Sequence, residues 1–280
     1  MRPHYCDTSY WILQNSGDRR VLVYSGVAEK GKPVARRGRK ATDLQEVAEL
    51  PKLNLSVAVY KVLFVSAFAA ALVALSARAA EAEGTSFRDD FDTFNSNRWI
   101  KSGHQQGLSY LDPANVVVSN GYLRLRIPAG TTDGAEIESV DYYGYGTFRT
   151  RMRTADAPSS ITGFFLYRSP DLYSEIDVEV YNDGTGKVDF VTYADGQRTH
   201  YVGKDFRFDP SADFHTYRID YNPDSVEFYV DGILRQTWTD GVPSASMKLL
   251  VNTWFPSWLA GQAPETGTAT RIDWIDYDQR

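Results

Sequence analysis

Cysteine and histidine are scarce in this chain of 280 residues. There is one cysteine, Cys6, and there are four histidines. Residues 83–280 contain no cysteine, so this part of the chain forms no disulfide and its stability rests on its own core. His104, His200 and His215 lack the spacing of zinc ligands, which argues against a zinc-dependent enzyme.

The motifs of several large enzyme classes are also missing. The sequence has no glycine-rich loop that would cradle a phosphate, no Gly-x-Ser-x-Gly elbow and no cysteine–histidine nucleophile pair. After residue 83 it also has almost no helical periodicity, no internal repeat and no low-complexity tract. These absences argue against nucleotide-dependent enzymes and against hydrolases with a serine or cysteine nucleophile.

The apolar run over residues 62–75 is too short for a typical membrane span. It has 14 residues, of which only Ser66 is polar, whereas a span needs about 20. Lys61 precedes the run and small residues with Ala-x-Ala spacing follow it, so residues 57–82 are predicted to be a secretory signal peptide. The alternative interpretation is a helix buried in a core.

Residues 1–56 are interpreted as an untranslated or disordered extension, because a secretory signal normally stands at the N-terminus. Translation would then begin near Val57 or Val59. The mature protein would be residues 83–280, and it would be secreted.

Charge divides the chain at the same place. Residues 1–82 carry 12 Lys and Arg against 7 Asp and Glu, whereas residues 83–280 carry 18 against 29. The second part is therefore strongly acidic, which makes nucleic acid and anionic membrane surfaces poor partners for it. Neutral polysaccharides are compatible with this charge.

Residues 83–280 show the pattern of a single all-β domain. Short segments that alternate apolar and polar residues are separated by turn signals such as Asn120-Gly121, Asp195-Gly196 and Asp231-Gly232. A sandwich or barrel is the architecture typical of this pattern. The predicted strands cover residues 122–127, 146–153, 161–167, 175–181, 188–193, 215–221, 225–230, 246–254 and 270–277.

Glu175, Asp177 and Glu179 are the most informative residues of the chain. They alternate with Ile176 and Val178, and successive side chains of a strand point to opposite faces, so the three acids share one face. Like charges about 7 Å apart repel each other and stabilise no fold by themselves. The row therefore indicates a functional site.

Glycoside hydrolysis requires two carboxylates in different protonation states. One attacks the anomeric carbon, while the other protonates the leaving oxygen and later deprotonates water. The spacing alone does not say which glutamate has which role. A solvated acidic face and a calcium site are the alternatives, although calcium cages are usually built by loops rather than by a strand.

Seven short motifs stand in order around the acidic strand: Tyr143-Gly144-Tyr145-Gly146, Gly163-Phe164-Phe165-Leu166-Tyr167, Ser174-Glu175-Ile176-Asp177-Val178-Glu179, Phe214-His215-Thr216-Tyr217, Phe228-Tyr229-Val230-Asp231-Gly232, Asn252-Thr253-Trp254 and Asp273-Trp274-Ile275. With them, roughly residues 87–278 resemble glycoside hydrolase family 16, especially the bacterial lichenase-type β-1,3-1,4-glucanases. The resemblance implies a concanavalin-like β-jelly-roll sandwich with a concave cleft. It also implies an endo-acting, retaining hydrolase.

The resemblance also implies a role for each acid. Glu175 matches the nucleophile, Asp177 the assisting residue and Glu179 the acid/base. We expect Asp177 to hydrogen-bond Glu175 and to keep the pKa of Glu175 below that of Glu179.

Further positions of the chain match sugar-contacting residues of the family. Aromatic rings stack on the faces of sugars, although filling the core is the alternative fate of any one ring. The predicted substrate-binding residues are Glu136, Phe165, Tyr167, Tyr173, Tyr193, Asn252 and Trp254.

Tyr173 stands where lichenases usually have Trp, and it still offers a ring to the cleft. Three other departures from the family pattern concern the substrate. Glu138 stands where lichenases commonly have Arg, His104-Gln105-Gln106-Gly107 departs from the usual Tyr-x-Asn pattern, and Val180-Tyr181-Asn182 replaces Phe-Leu-Gly. These changes leave the chemistry intact and bear on the preferred linkage. The predicted substrate is β-1,3-1,4-glucan, with β-1,3-glucan, xyloglucan, galactan or transglycosylation as alternatives.

We expect a polysaccharide partner and no nucleic acid, with no membrane association after signal removal, and a monomer. No cofactor is expected to be required. The resemblance allows one structural calcium ion with Asp273 as a ligand, and an ordinary solvated aspartate is the alternative. A non-catalytic carbohydrate-binding module is the rival function from another class, and the intact row of three acids favours the enzyme.

Overall fold

The computed structural model describes residues 83–280. The predicted extension, residues 1–56, and the predicted signal peptide, residues 57–82, lie outside the described residues. Between residues 83 and 280 the chain forms β-strands and one short 3₁₀ helix, Pro113–Asn115, and no helix there is long and apolar enough to cross a membrane.

The strands are numbered in chain order. They are β1 (Phe87–Asp89), β2 (Trp99–Lys101), β3 (His104–Gln106), β4 (Ser109–Leu111), β5 (Val116–Ser119), β6 (Tyr122–Ile127), β7 (Ala135–Ser139), β8 (Gly146–Arg153), β9 (Ile161–Arg168), β10 (Ser174–Tyr181), β11 (Lys187–Ala194), β12 (Gln197–Asp205), β13 (His215–Tyr221), β14 (Val226–Val230), β15 (Ile233–Trp238), β16 (Lys248–Trp254) and β17 (Thr268–Gln279).

Two large antiparallel sheets contain most of these strands. The front sheet has the spatial order β12-β11-β10-β9-β16-β7-β2. The back sheet has the order β15-β14-β13-β8-β17-β6-β5, with β1 also paired to β17, and β3 pairs with β4 in a separate small sheet. The strand that carries the three acids, β10, thus lies inside the front sheet between β9 and β11.

Three hairpins close through two-residue turns that the sequence predicts. Asn120-Gly121, Asp195-Gly196 and Asp231-Gly232 have positive φ at both residues, from 52° to 76°. This is the type I′ geometry, whose twist matches that of the flanking strands and which asparagine, aspartate and glycine tolerate.

The core lies between the two sheets. Ile176, Val178 and Val180 of β10 have no exposed surface and belong to this core. Phe190 of the front sheet stacks on Phe228 of the back sheet, with 4.8 Å between the ring centroids. The predicted all-β sandwich is therefore confirmed, and the acids of β10 point away from its core.

Candidate active site

The three predicted catalytic carboxylates share the outer face of the front sheet. Strands β9 and β11 supply their neighbours on either side. Glu175 lies between Tyr167 and Tyr193, and Asp177 lies between Phe165 and Val191. Glu179 lies between Gly163 and Asp189. Because the branched residues between the acids are fixed in the core, the acids cannot turn to the other face.

Asp177 is the most enclosed of the three acids, with 6% of its surface exposed. Burial raises the pKa of Asp177 well above its usual range, and the charges of Glu175 and Glu179 raise it further. A side-chain hydrogen bond between Asp177 and Glu175 raises the pKa of Asp177 and lowers that of Glu175. Of the two side chains, Asp177 is therefore the one favoured in the protonated form, and Glu175 the one favoured as the carboxylate.

Glu179 has a different environment. Burial raises its pKa to about 7, the charge of Asp189 raises it as well, and the charge of Lys187 lowers it. A carboxyl group with this pKa exchanges its proton near neutral pH, as a general acid/base must.

The environment of Glu175 raises its pKa rather than lowering it, and the predicted order of the two glutamate pKa values stays a prediction. Burial, followed by the charge of Asp171, raises the pKa of Glu175 to about 8, despite the opposing hydrogen bond from Asp177. The sequence identified Asp177 as a group that lowers this pKa. It did not predict how strongly the enclosed sheet surface disfavours charge on Glu175.

Asn252 and Glu136 lie level with Glu179 on neighbouring strands of the front sheet. The register runs from Glu179 through Gly163 to Asn252 and then to Glu136. Asn252 Oδ1 accepts from the Gly163 amide at 3.2 Å, and Asn252 Nδ2 donates to Glu136 Oε2 at 3.1 Å. His104 Nδ1 lies 4.0 Å from Glu136 Oε1. Burial raises the pKa of Glu136, which is only 2% exposed.

The predicted aromatic residues divide into two groups. Phe165, Tyr167, Tyr193 and Trp254 lie at outward-facing positions of the front sheet, and Trp254 packs edge-on against Trp258 with 5.5 Å between centroids. Tyr173 precedes β10 and is 42% exposed, so it lies outside the sheet. The structure thus brings the predicted acids, Glu136, Asn252 and four of the five predicted rings onto one face.

Comparisons with known proteins identify the family. The family described as Glycosyl hydrolases family 16 matches residues 104–276. The β-glucanase of Bacillus subtilis (strain 168) is 33% identical over 233 residues, which cover 78% of this chain and 96% of that protein. The chain belongs to glycosyl hydrolase family 16. It is therefore a glycoside hydrolase.

Solved structures agree with this membership. The Bacillus licheniformis β-glucanase is 30% identical, with a TM-score of 0.66 over 71% of this chain and 100% of that one. A prokaryotic β-1,3-1,4-glucanase (lichenase) derived from a mouse hindgut metagenome is 30% identical, with a TM-score of 0.65 over 70% and 100% of the two chains. The predicted jelly-roll class of the sandwich is thereby confirmed.

In this family 16 hydrolase, Glu138 is not an isolated anion. Its carboxylate forms an ion pair with Lys248 Nζ, and Lys248 stands opposite Tyr167 in the sheet register. A cation therefore remains at this part of the face although Glu138 occupies the position where lichenases commonly have Arg. Sequence reasoning noted the anion and missed its partner, since the two residues are 110 positions apart.

Asp189 is the functional candidate that sequence reasoning missed. It lies directly opposite Glu179, is 3% exposed, and its Oδ2 accepts from the hydroxyls of Tyr181 at 3.0 Å and Tyr201 at 3.1 Å. Alternation along β11 gives a signal that could have found it, because Asp189 and the predicted Tyr193 share a face.

Asp273, the predicted calcium ligand, lies in a partly exposed ion pair. Its carboxylate accepts a hydrogen bond from Arg151 Nη1. Within residues 83–280, no three His, Cys, Asp or Glu side chains are grouped so that they could hold a metal ion. The role of Asp273 as a calcium ligand stays a prediction.

Proposed function

We propose that this hydrolase is an endo-acting β-glucanase that cleaves internal bonds of β-1,3-1,4-glucan with retention of configuration. The observation that carries the proposal is the row of Glu175, Asp177 and Glu179 on the outer face of the front sheet, flanked by Tyr167 and Tyr193. The relatives described as β-glucanases, and the lichenase among the solved structures, support this substrate.

In the first step, a Glu175 carboxylate oxygen attacks the anomeric carbon and forms an ester bond to the sugar. The glycosidic carbon–oxygen bond breaks, and Glu179 gives its proton to the departing oxygen. Asp177 keeps its own proton and donates a hydrogen bond to Glu175, which favours the attacking carboxylate form.

In the second step, the Glu179 carboxylate takes a proton from water. The water oxygen attacks the anomeric carbon from the other side, and the Glu175 carboxylate leaves. Two inversions at one carbon give net retention.

The remaining residues of the face are proposed to bind the glucan chain. Tyr167, Tyr193 and Trp254 offer ring surface to pyranose faces. The Glu136–Asn252 pair offers carboxylate and amide oxygens to sugar hydroxyls, held in place by the Asn252–Glu136 hydrogen bond.

We also propose that the protein is secreted after translation from near Val57 or Val59, that it requires no cofactor and that it acts as a monomer. Mass spectrometry of the protein recovered from the growth medium tests the first point. A mature N-terminus at residue 83 supports it, and a mature chain that begins before residue 57 contradicts it.

The experiment that tests the function measures product release by the purified protein from four polymers: barley-type mixed-linkage glucan, β-1,3-glucan, xyloglucan and agar-type galactan. We expect rapid endo-cleavage of the mixed-linkage glucan, with the β-anomer as the first product seen by NMR. If only another of the four polymers were cleaved, the proposed mechanism would stand and the proposed substrate would be wrong. An α-anomer as the first product would contradict the two-step mechanism.

A further inference from the structure

Three arginines stand side by side on the outer face of the back sheet. In the register, Arg124 of β6 is the partner of Arg271 of β17, and Arg271 is in turn the partner of Arg153 of β8. The alternation of β6 fixes this orientation, since Leu123 and Leu125 are fully buried. Like charges directly opposite each other on neighbouring strands repel and destabilise a sheet.

Two neighbouring arginines of β8 in the back sheet have carboxylate partners. Arg149 pairs with Asp276 and Asp278 at 2.8 Å, and Arg151 pairs with Asp273. By contrast, within residues 83–280 no carboxylate lies within salt-bridge distance of the row Arg124–Arg271–Arg153.

One donor of the row is both buried and unsatisfied. Arg124 Nε has no hydrogen-bond partner in the described part of the chain. Burying a donor without an acceptor is unfavourable, and an anion bound beside the two further guanidinium groups would supply the acceptor that Arg124 Nε lacks.

The row lines a shallow surface cavity of about 620 Å³ that is open to solvent, and Arg126 also contributes to its wall. Thr154 and Ser211 add hydroxyl groups to the wall, and Asp156 is its one acid. The cavity lies on the outer face of the back sheet, whereas the predicted catalytic acids lie on the outer face of the front sheet, across the core.

We propose that this arginine-lined cavity binds an oxyanion group of the sulfate, phosphate or carboxylate type. Guanidinium forks match such groups with paired, charge-assisted hydrogen bonds, and an anion among three arginines removes their mutual repulsion. The group is either a free small anion or a substituent of an acidic polysaccharide. The proposal is independent of the roles assigned to Glu175 and Glu179.

The test compares the purified protein with its Arg271→Gln variant, in which the centre of the row loses its charge. Arg207→Gln is the matched control, because Arg207 is exposed in the loop between β12 and β13. Thermal unfolding is followed in sodium sulfate and sodium phosphate, against sodium chloride at equal ionic strength. Binding to dextran sulfate is measured beside binding to uncharged dextran.

We expect sulfate or phosphate to raise the Tm of the parent and of Arg207→Gln by clearly more than that of Arg271→Gln, which keeps only the general stabilisation that these salts give. Anion affinity should fall about tenfold or more in Arg271→Gln, because charge-assisted hydrogen bonds are lost. In low salt, Arg271→Gln should unfold at the same or a higher temperature than the parent, because a repulsion is removed.

The measurements with dextran sulfate distinguish a free small anion from a substituent of an acidic polysaccharide. Preference for dextran sulfate over the free anions assigns the cavity to acidic polysaccharides, and binding of the free anions alone assigns it to small oxyanions. Equal anion responses of the parent, Arg271→Gln and a second variant, Arg124→Gln, would overturn the proposal, as would the absence of any response. Hydrolysis of neutral glucan should be unchanged in all variants that fold.

Discussion

At the scale of single residues, burial on the same sheet face raises the pKa values of both Glu175 and Glu179. The pKa of Glu175 is about 8 and that of Glu179 is about 7. The proposed reaction needs an ionised Glu175 and a protonated Glu179. Below about pH 7 both groups hold protons and the nucleophile is missing, and above about pH 8 both are ionised and the acid is missing.

We therefore predict a bell-shaped dependence of kcat/KM on pH, with its maximum between about 7 and 8 and apparent pKa values that belong to the pair. Initial rates at substrate concentrations well below KM, from pH 5 to pH 10, measure this profile. A plateau that extends unchanged from pH 5 to pH 10 would contradict the assignment.

Asp189 is predicted to set the proton affinity of Glu179. Its charge is the largest effect on the pKa of Glu179 after burial, and it acts from the directly opposite position on β11. In Asp189→Asn, the apparent pKa near 7 should fall by roughly one unit while the upper one stays, and maximal kcat/KM should fall severalfold. The fall occurs because less of the enzyme then holds its proton on Glu179.

Asp183→Asn is the matched control for this experiment. Asp183 is an exposed loop residue between β10 and β11 whose carboxylate accepts from Thr185. It should leave the pH profile unchanged. If Asp189→Asn lowered activity equally at every pH, Asp189 would be a structural residue only.

At the scale of strands, Gly163 of β9 lies between Glu179 of β10 and Asn252 of β16 and leaves room for the Asn252 side chain. A Cβ atom on Gly163 would lie 2.7 Å from Asn252 Oδ1, closer than such atoms approach. Gly163→Ala should displace Asn252, break its hydrogen bonds to the Gly163 amide and to Glu136, and raise KM more than it lowers kcat. Steady-state kinetics on the preferred glucan measure this split.

Gly267→Ala is the control for this substitution, since a Cβ there would meet its neighbours at ordinary contact distances of 3.5 Å or more. Its kinetics should match those of the parent. Unchanged kinetics for Gly163→Ala would show that Asn252 is not part of the binding face.

The sequence predicted nine of the seventeen strands in residues 83–280: β6, β8, β9, β10, β11, β13, β14, β16 and β17. The predicted bounds of β6, β8 and β13 coincide with the observed ones, because inward-facing residues alternate with polar outward-facing ones over most of each strand. The short strands β1 to β5 and β7 were not predicted, and neither were the edge strands β12 and β15. Bulges in their pairings, between Thr192 and Tyr193 and between Phe228 and Tyr229, shift the register and break the period of two.

The same limit applies to the site. Alternation within β10 predicts that its three acids share a face, because that property is local. It cannot place Asp189 opposite Glu179 or Lys248 beside Glu138, because those neighbours depend on the register between strands. Register also explains why burial of the row, and with it the high pKa of Glu175, escaped the sequence prediction.

At the scale of the whole molecule, burial of Glu175 makes the stability of the folded protein depend on pH. The pKa of Glu175 is raised from 4.5 to about 8 in the folded protein. Between these values the unfolded chain has lost a proton that the folded protein keeps, so this group makes the protein less stable as pH rises from about 4.5 to about 8.

Glu175→Gln is therefore predicted to abolish nearly all activity and to raise Tm near pH 8. The expected gain is on the order of 2 kcal/mol, or about 4–8 °C, and it should shrink towards pH 4.5. Calorimetry at the two pH values measures it, with Glu265→Gln, an exposed acid, as the control. A variant that loses stability at pH 8, or that keeps near-normal turnover, would contradict the account of Glu175.

The most direct test of the central claim is to trap the covalent intermediate. An activated β-glucan oligosaccharide with fluorine at C2 of the reacting sugar slows the second step and should accumulate as a glycosyl ester, which peptide mass spectrometry can locate. The account predicts one adduct, on Glu175, and none in Glu175→Gln. An adduct on Glu179, or turnover of the probe by the native protein with no adduct at all, would contradict it.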